Sequence, residues 1–272
     1  MPENRKLPLI IAHRGASAEA PENTLAAFER AIAGGADGIE FDVRRAKDGV
    51  PIVFHDATLQ RIARKKERAS SFTSSELQRL NVGAWFKRSR PSKANPKFAG
   101  EAVPTLAQVF DFLRGYEGRI YVELKGKTEE TLALVETVGR ATRQTNLLPN
   151  IVLKSFKLEA IALSKKLFPE IRAAALFAPK IVSLLRRERP LIERAKAFGA
   201  DELSLHHSLA TRKTVASATR ENLPVAVWTI NRPVWIKRAA EIGVRAIITN
   251  HPARLVAARD EILSENSILG FR

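Results

Sequence analysis

The stretch Gly38-Ile39-Glu40-Phe41-Asp42-Val43 alternates apolar residues with two carboxylates. A period of two belongs to a β-strand, so Glu40 and Asp42 point to one face and Ile39, Phe41 and Val43 to the other. Two carboxylates sharing a site repel one another unless a cation or protons relieve them. A role in surface salt bridges fits poorly with so apolar a strand. Upstream, an apolar run over 8–12 leads into His13-Arg14-Gly15. A helix follows, capped by Asn23 or Thr24, with Leu25, Phe28 and Ile32 on one face and a stop at Gly34-Gly35. Downstream, a Lys47-Asp48-Gly49 turn precedes a strand over 51–54 that ends in His55-Asp56.

The same rhythm governs the rest of the chain. Strand-like runs are expected over 119–124, 151–154, 171–176, 202–205, 225–228 and 245–249, with helical patterns between them, among them 128–142 and 234–241. This βαβα alternation predicts a parallel sheet covered by helices. About eight or nine strands in 272 residues favour a TIM-type (β/α)8 barrel, and no Gly-x-Gly-x-x-Gly follows the first strand to suggest a doubly wound sheet. The alternation lapses over 56–103, a basic, turn-rich insertion after the second-strand region that holds one short helix, marked by the capping pair Thr73 and Glu76. The chain 1–272 reads as a single barrel domain containing this insertion.

Composition narrows the chemistry. A net charge of +16 favours anionic partners, from phosphate esters to lipid surfaces or nucleic acid. The absence of cysteine excludes disulfides and thiolate metal sites. Met1–Lys6 leads into only a short apolar run, too short for an export signal or a membrane span, which predicts a cytoplasmic protein.

In a barrel, catalytic residues project from the C-terminal strand ends. The oxygen donors of Glu40 and Asp42 suit Mg²⁺ or Ca²⁺, and Glu123, ending a later strand beside Lys125, is placed to add a third carboxylate. His13 and His55 occupy analogous strand ends and can give and take protons near neutral pH. Arg14 offers a planar fork for phosphate oxygens. Lys154, at another strand end, is suited to phosphate as well. For His206 and His207 a structural role is at least as good a reading as a place at the mouth, and His251 reads as structural.

The phrases His13-Arg14-Gly15, Pro21-Glu22-Asn23-Thr24, Glu40-x-Asp42, Asp48-Gly49, His55-Asp56 and Leu59-x-Arg61 follow one another as in the glycerophosphodiester phosphodiesterase family, which the chain resembles. Phe98-Ala99-Gly100-Glu101, Pro104-Thr105-Leu106, Glu123-x-Lys125, Ser155-Phe156, Trp228-Thr229-x-Asn231 and Ile248-Thr249-Asn250-x-Pro252 extend the resemblance to almost the whole chain. It implies a TIM-type barrel that hydrolyses glycerophosphodiesters to sn-glycerol 3-phosphate and an alcohol, dependent on a divalent metal: Mg²⁺, Ca²⁺ or Mn²⁺. By this resemblance Glu40, Asp42 and Glu123 bind the metal, and His13 and His55 form the acid/base pair. Arg14 and Lys125 hold the anion, and Trp228 walls the substrate mouth. The chain looks most like cytoplasmic bacterial members.

Two departures stand out. Ile62-Ala63-Arg64-Lys65-Lys66-Glu67-Arg68 replaces a polar, glycine-containing turn, and Asn250 stands where an Asp is common. Neither is expected to touch the catalytic set. A lysophospholipase D would cleave the same bond in a longer lipid, with the basic insertion making transient contact with an anionic lipid surface. A nucleic-acid-binding protein is the reading from another class. It lacks any accompanying zinc-finger, RNP or helix-turn-helix signature. A catalytically dead barrel is disfavoured because every catalytic residue type is present. Oligomeric state leaves no readable signal.

Overall fold

The computed structural model describes residues 7–93, 95–179 and 188–269; the Met1–Lys6 lead-in lies outside them. Nine strands form: β1 (Leu9–His13), β2 (Gly38–Arg45), β3 (Pro51–Val53), β4 (Arg119–Leu124), β5 (Ile151–Ser155), β6 (Arg172–Phe177), β7 (Glu202–His206), β8 (Val225–Trp228) and β9 (Ala246–Thr249). Eight are parallel and close into a barrel in the order β1-β2-β4-β5-β6-β7-β8-β9, with β1 pairing both β2 and β9. The ninth, β3, is a short antiparallel strand on β2. The chain is therefore a (β/α)8 barrel, and its strands are buried on both faces, which is why they read as nearly continuous apolar runs.

Side chains alternate between the lumen and the helical shell. Ile11, Tyr121, Val152, Ala174, Ala226, Ala246 and Ile248 pack together in the lumen. Their strand neighbours, such as Ile39, Phe41, Ile120 and Val122, join separate clusters beneath the helices. Gly38 must lack a side chain, because a Cβ there would lie 2.4 Å from the Arg119 carbonyl oxygen and 2.7 Å from Ile11 Cδ1. The first helix (Leu25–Ala33) is capped by Thr24, whose hydroxyl accepts from the Ala27 N–H. Asn23 is not the cap, and the buried face is Ala27, Phe28 and Ala31, with Ile32 38% exposed.

Between β3 and the helix Leu106–Phe112 the chain forms three short helices (Gln60–Ala63, Ser74–Gln78, Val82–Ser89) and several 3₁₀ turns. Ile52, Phe54, Leu59, Ile62, Leu77, Val82 and Val103 give this region its own apolar cluster. The Thr73–Glu76 capping box forms as expected.

The lower lumen holds a buried polar contact: the Tyr121 hydroxyl donates to Glu202. Burial pushes the Glu202 carboxyl up, and the Tyr121 hydrogen bond and the charges of Arg119 and Arg172 only partly offset it. A carboxyl raised in the fold stabilises it below the unfolded value of about 4.3 and loses that contribution as pH rises through the folded value. Glu202→Gln keeps an acceptor for Tyr121 and cannot ionise. Its stability relative to wild type is expected to increase from about pH 4 to about pH 8. Urea midpoints at both pH values check this; a pH-independent difference would refute it.

Candidate active site

Strand register assembles the site. Asp42 pairs with Glu123, Glu123 with Lys154, and His13 with Glu40, so four strands bring inward-facing charged residues together in two adjacent rows at the C-terminal end of the lumen. Glu40 and Asp42 are fully buried and Glu123 is 5% exposed. One oxygen from each lies within 4.8 Å of the others.

Glu40 and Asp42 each brace one oxygen on neighbouring donors and turn the other toward a lysine. Asp42 Oδ2 accepts from Asn23 Nδ2 at 3.0 Å and faces Arg14 Nε at 3.0 Å, while the Asn23 carbonyl oxygen takes the Asp42 N–H. Glu40 Oε2 accepts from the Arg14 N–H at 3.1 Å. Glu40 Oε1, Asp42 Oδ1 and Glu123 Oε1 face lysine ammoniums instead: Lys154 lies 2.7 Å from the first, and Lys125 lies 3.2 Å from the second and against the third. A convergent set of oxygen-only donors that already attracts cations fits a hard divalent cation. Burial alone would raise the Asp42 carboxyl, but Lys125 and Arg14 outweigh it and hold it well below the usual range. Glu40 is likewise held low, with Lys154 and His13 overcoming its burial.

The backbone after β1 is bent to serve these groups. Arg14 and Asn23 sit at φ 57° and 59°, a left-handed conformation rare outside glycine. Gly15, at φ 76°, passes so close to the first helix that a Cβ would lie 2.6 Å from the Ala27 carbonyl.

The two histidines are held differently. His13 Nδ1 lies 2.6 Å from Asn250 Oδ1, and Nε2 lies 3.9 Å from Glu40 Oε2. With Nδ1 as the donor to Asn250, the Nε2 lone pair is turned to the carboxylates. Burial lowers the His13 pKa, only partly countered by Glu40. Asn250 also accepts from Ser17 Oγ, and its N–H is fixed by Asn231. The Asn250 departure thus reaches the catalytic set after all, as the hydrogen-bond partner of His13.

His55 Nδ1 lies 2.7 Å from Asp56 Oδ1, and Asp56 Oδ2 accepts from Arg61 Nε at 2.6 Å. Arg61 grips Glu22 with both terminal nitrogens, Glu22 accepts from Arg14, and Arg14 returns to Asp42. A chain of alternating charge therefore ties His55 to the carboxylates. Trp85 of the insertion lies 4.8 Å from the Arg61 guanidinium.

On the opposite side, Lys125 bridges Asp42 Oδ1 at 3.2 Å and Glu123. Burial opposes its charge, but the two carboxylates hold its pKa above the usual value. Phe156, Trp228 and His206 continue as an edge-to-face series, with centroids 5.7 Å and 5.3 Å apart, and His207 stacks 4.1 Å from His206. His206 therefore stands beside Trp228 at the mouth. The His251 N–H donates to Thr249 as the last helix begins. Lys154 is far from a rim position: it is 2% exposed and points into the carboxylates. A separate shallow groove of about 820 Å³, lined by Leu7, Thr219, Leu223 and Arg245, lies at the other end of the barrel and carries none of these residues.

The sequence profile of the glycerophosphoryl diester phosphodiesterase family matches residues 13–254. The chain belongs to this family. A glycerophosphodiester phosphodiesterase of Caldanaerobacter subterraneus subsp. tengcongensis is 30% identical over 250 residues, covering 91% of this chain and 96% of the relative. Among solved structures, an Oleispira antarctica phosphodiesterase in complex with the product sn-glycerol-3-phosphate matches with TM-score 0.80 and 26% identity, over 93% of this chain and 97% of that one. A glycerophosphodiester phosphodiesterase from Agrobacterium tumefaciens matches with TM-score 0.74 and 27% identity, covering 92% of this chain and 100% of that one. Family membership covers the barrel and the strand-end phrases together. Sequence reading overlooked Glu22, Asn23, Asp56 and Arg61 as bracing groups; the signal available was their presence in the ordered phrases around His13 and His55.

Arg61 is the hinge of the ion chain, and its loss leaves Asp56 and Glu22 short of a partner. Arg61→Met is expected to cost about 1–2 kcal/mol at neutral pH. Both carboxyls are depressed despite burial, by hydrogen bonds from His55 and Arg61 to Asp56 and from Arg61 to Glu22. Their contribution is present above the unfolded value near 4 and fades as pH falls below it. Denaturant titrations of both proteins should therefore converge in acid; a gap that widens there contradicts the assignment.

Proposed function

We propose that this chain hydrolyses glycerophosphodiesters to sn-glycerol 3-phosphate and an alcohol, with Glu40, Asp42 and Glu123 seating a divalent metal ion. The observation that carries this reading is the trio of buried carboxylates, one oxygen of each within 4.8 Å of the others, together with two braced histidines. The product-bound Oleispira antarctica neighbour supports the substrate class. The oxygen-only donor set suits Mg²⁺ or Ca²⁺, and Mn²⁺ shares that preference. We read residues 56–103 as an inserted subdomain that rims the alcohol side of the mouth. Among the described residues no helix is long and apolar enough to cross a membrane. The exposed Lys65 and Lys66 of the insertion would suit transient contact with an anionic lipid surface.

The bound cation would offset the diester's negative charge and strengthen phosphorus as an electrophile. Arg14 and Lys125 stand beside that position with guanidinium and ammonium donors for the non-bridging oxygens. Of the two imidazoles, one accepts the proton of the attacking nucleophile and the other delivers a proton to the departing alkoxide. The nucleophile is water, or the neighbouring glycerol hydroxyl by way of a cyclic phosphate that water then opens. Asn250 keeps His13 Nδ1 occupied and Asp56 keeps His55 Nδ1 occupied, so each presents Nε2 for proton transfer. Phe156 and Trp228 pack edge to face, with the Lys125 ammonium 5.9 Å from the Phe156 ring, as an aromatic wall of the mouth.

A panel of glycerophosphocholine, glycerophosphoethanolamine, glycerophosphoglycerol and lysophosphatidylcholine, assayed with EDTA and metal add-back, tests the proposal. The water-soluble diesters should turn over, chelation should stop the reaction, and Mg²⁺, Ca²⁺ or Mn²⁺ should restore it. His13→Ala and His55→Ala should each lower kcat by about 10²–10⁴ with little change in Tm. Indifference to chelation would remove the metal from the mechanism. A preference for lysophosphatidylcholine would reassign the substrate to lysolipid.

A further inference from the structure

Among the described residues Lys154 is the buried lysine, 2% exposed, and it lies within the carboxylate cluster. Strand β5 pairs it with Glu123 on one side and the small Ala174 on the other, which leaves room for a long side chain to cross the lumen. Its Nζ lies 2.7 Å from Glu40 Oε1, two strands away, and 3.6 Å from Glu123 Oε2. Both partners belong to the trio assigned to the metal, and Glu40 Oε1 is the oxygen that the Lys154 ammonium occupies.

The two lysines of the site differ in their freedom. Lys125 is 16% exposed at the mouth, with a path toward a phosphate oxygen. Lys154 is almost wholly enclosed, and removing its ammonium from Glu40 would leave a buried charge short of a partner. A cation that enters the trio can displace Lys125 outward but must coexist with Lys154.

Charge counting shows what that does. Glu22, Glu40, Asp42, Asp56 and Glu123 supply five negative charges, and Arg14, Arg61, Lys125 and Lys154 supply four positive ones. A divalent cation arriving alone turns this nearly balanced cluster positive in a poorly screened interior. A phosphodiester arriving with it restores part of the balance. We infer that Lys154 is a built-in counter-charge that keeps the metal site weak when the mouth is empty and couples tight metal binding to an anionic ligand. It also spares the metal-free protein the mutual repulsion of three buried carboxylates. This inference rests on the reading of Glu40, Asp42 and Glu123 as metal ligands.

Calorimetric titration of the metal-stripped protein with Ca²⁺ and Mg²⁺, with and without sn-glycerol 3-phosphate, tests it without reference to turnover. Lys154→Met and Lys154→Gln should each tighten metal binding in the absence of anion by about tenfold or more. Both should melt lower in EDTA and recover more on adding Ca²⁺ than the wild type does. sn-Glycerol 3-phosphate should tighten metal binding to the wild type more than to either variant. Equal or weaker metal affinity in folded variants overturns the role of Lys154 while leaving the metal site intact. Should neither variant fold, the wild type decides: tightening by sn-glycerol 3-phosphate of about tenfold supports the coupling, and an anion-independent affinity overturns it. Failure of wild type and variants alike to bind either metal overturns the ligand assignment itself, and this inference with it.

Discussion

The structure depends on the repulsion among three carboxylates buried close together at one end of the barrel lumen. Neighbouring parallel strands set Asp42 beside Glu123 in register, and alternation puts Glu40 on the same face as Asp42. Uncompensated charges in such a place would neutralise by taking up protons or would unfold the strand ends. Instead each carboxylate meets a cation: Glu40 has Lys154, Asp42 has Arg14 and Lys125, and Glu123 has Lys125. The unusual backbone follows from the same need. Arg14 and Asn23 adopt left-handed conformations in the segment that delivers their donors to Asp42, and the chain reaches that point only because Gly15 can press against Ala27.

This hierarchy accounts for what was legible in the sequence. The alternation over 38–43 is a local property of a strand, so the inward direction of Glu40 and Asp42 could be read without a structure. The barrel was equally readable, because parallel strands buried on two faces leave strong apolar runs separated by helices. Lys154 was not. A lysine near a strand end can extend toward solvent or into the lumen, and only its register beside Glu123 and Ala174 settles the direction. Asn23 and Thr24 both look like helix caps in isolation. Thr24 takes the cap because its backbone is extended, while the side chain of Asn23 is committed to Asp42. The partnership of Asn250 with His13 spans 237 positions in the chain, beyond the reach of any local pattern.

The two histidines carry different constraints. His13 is enclosed, its Nδ1 fixed by a neutral amide, and burial disfavours its charged form. His55 is backed by the Asp56 carboxylate, and Asp56 is in turn held by Arg61. The two imidazoles are thus oriented by unlike partners, a neutral amide for one and a carboxylate for the other. An Asp at 250 would give both the same kind of partner, so the Asn preserves a difference between them.

The mouth is asymmetric in stiffness as well as in charge. On the His55 side, Arg61 links the insertion to Glu22, Arg14 and Asp42 through ion pairs, and Trp85 covers its guanidinium. A displacement of the insertion is therefore felt at His55 and at the carboxylates together. On the far side, Phe156, Trp228, His206 and His207 touch through ring edges and faces, which permit small shifts at little cost. Phosphate chemistry demands fixed positions for charged groups, and the ion chain supplies them. Variation in the alcohol can then be absorbed where the contacts are apolar, or at the outer edge of the insertion, without disturbing the carboxylates that the barrel is built around.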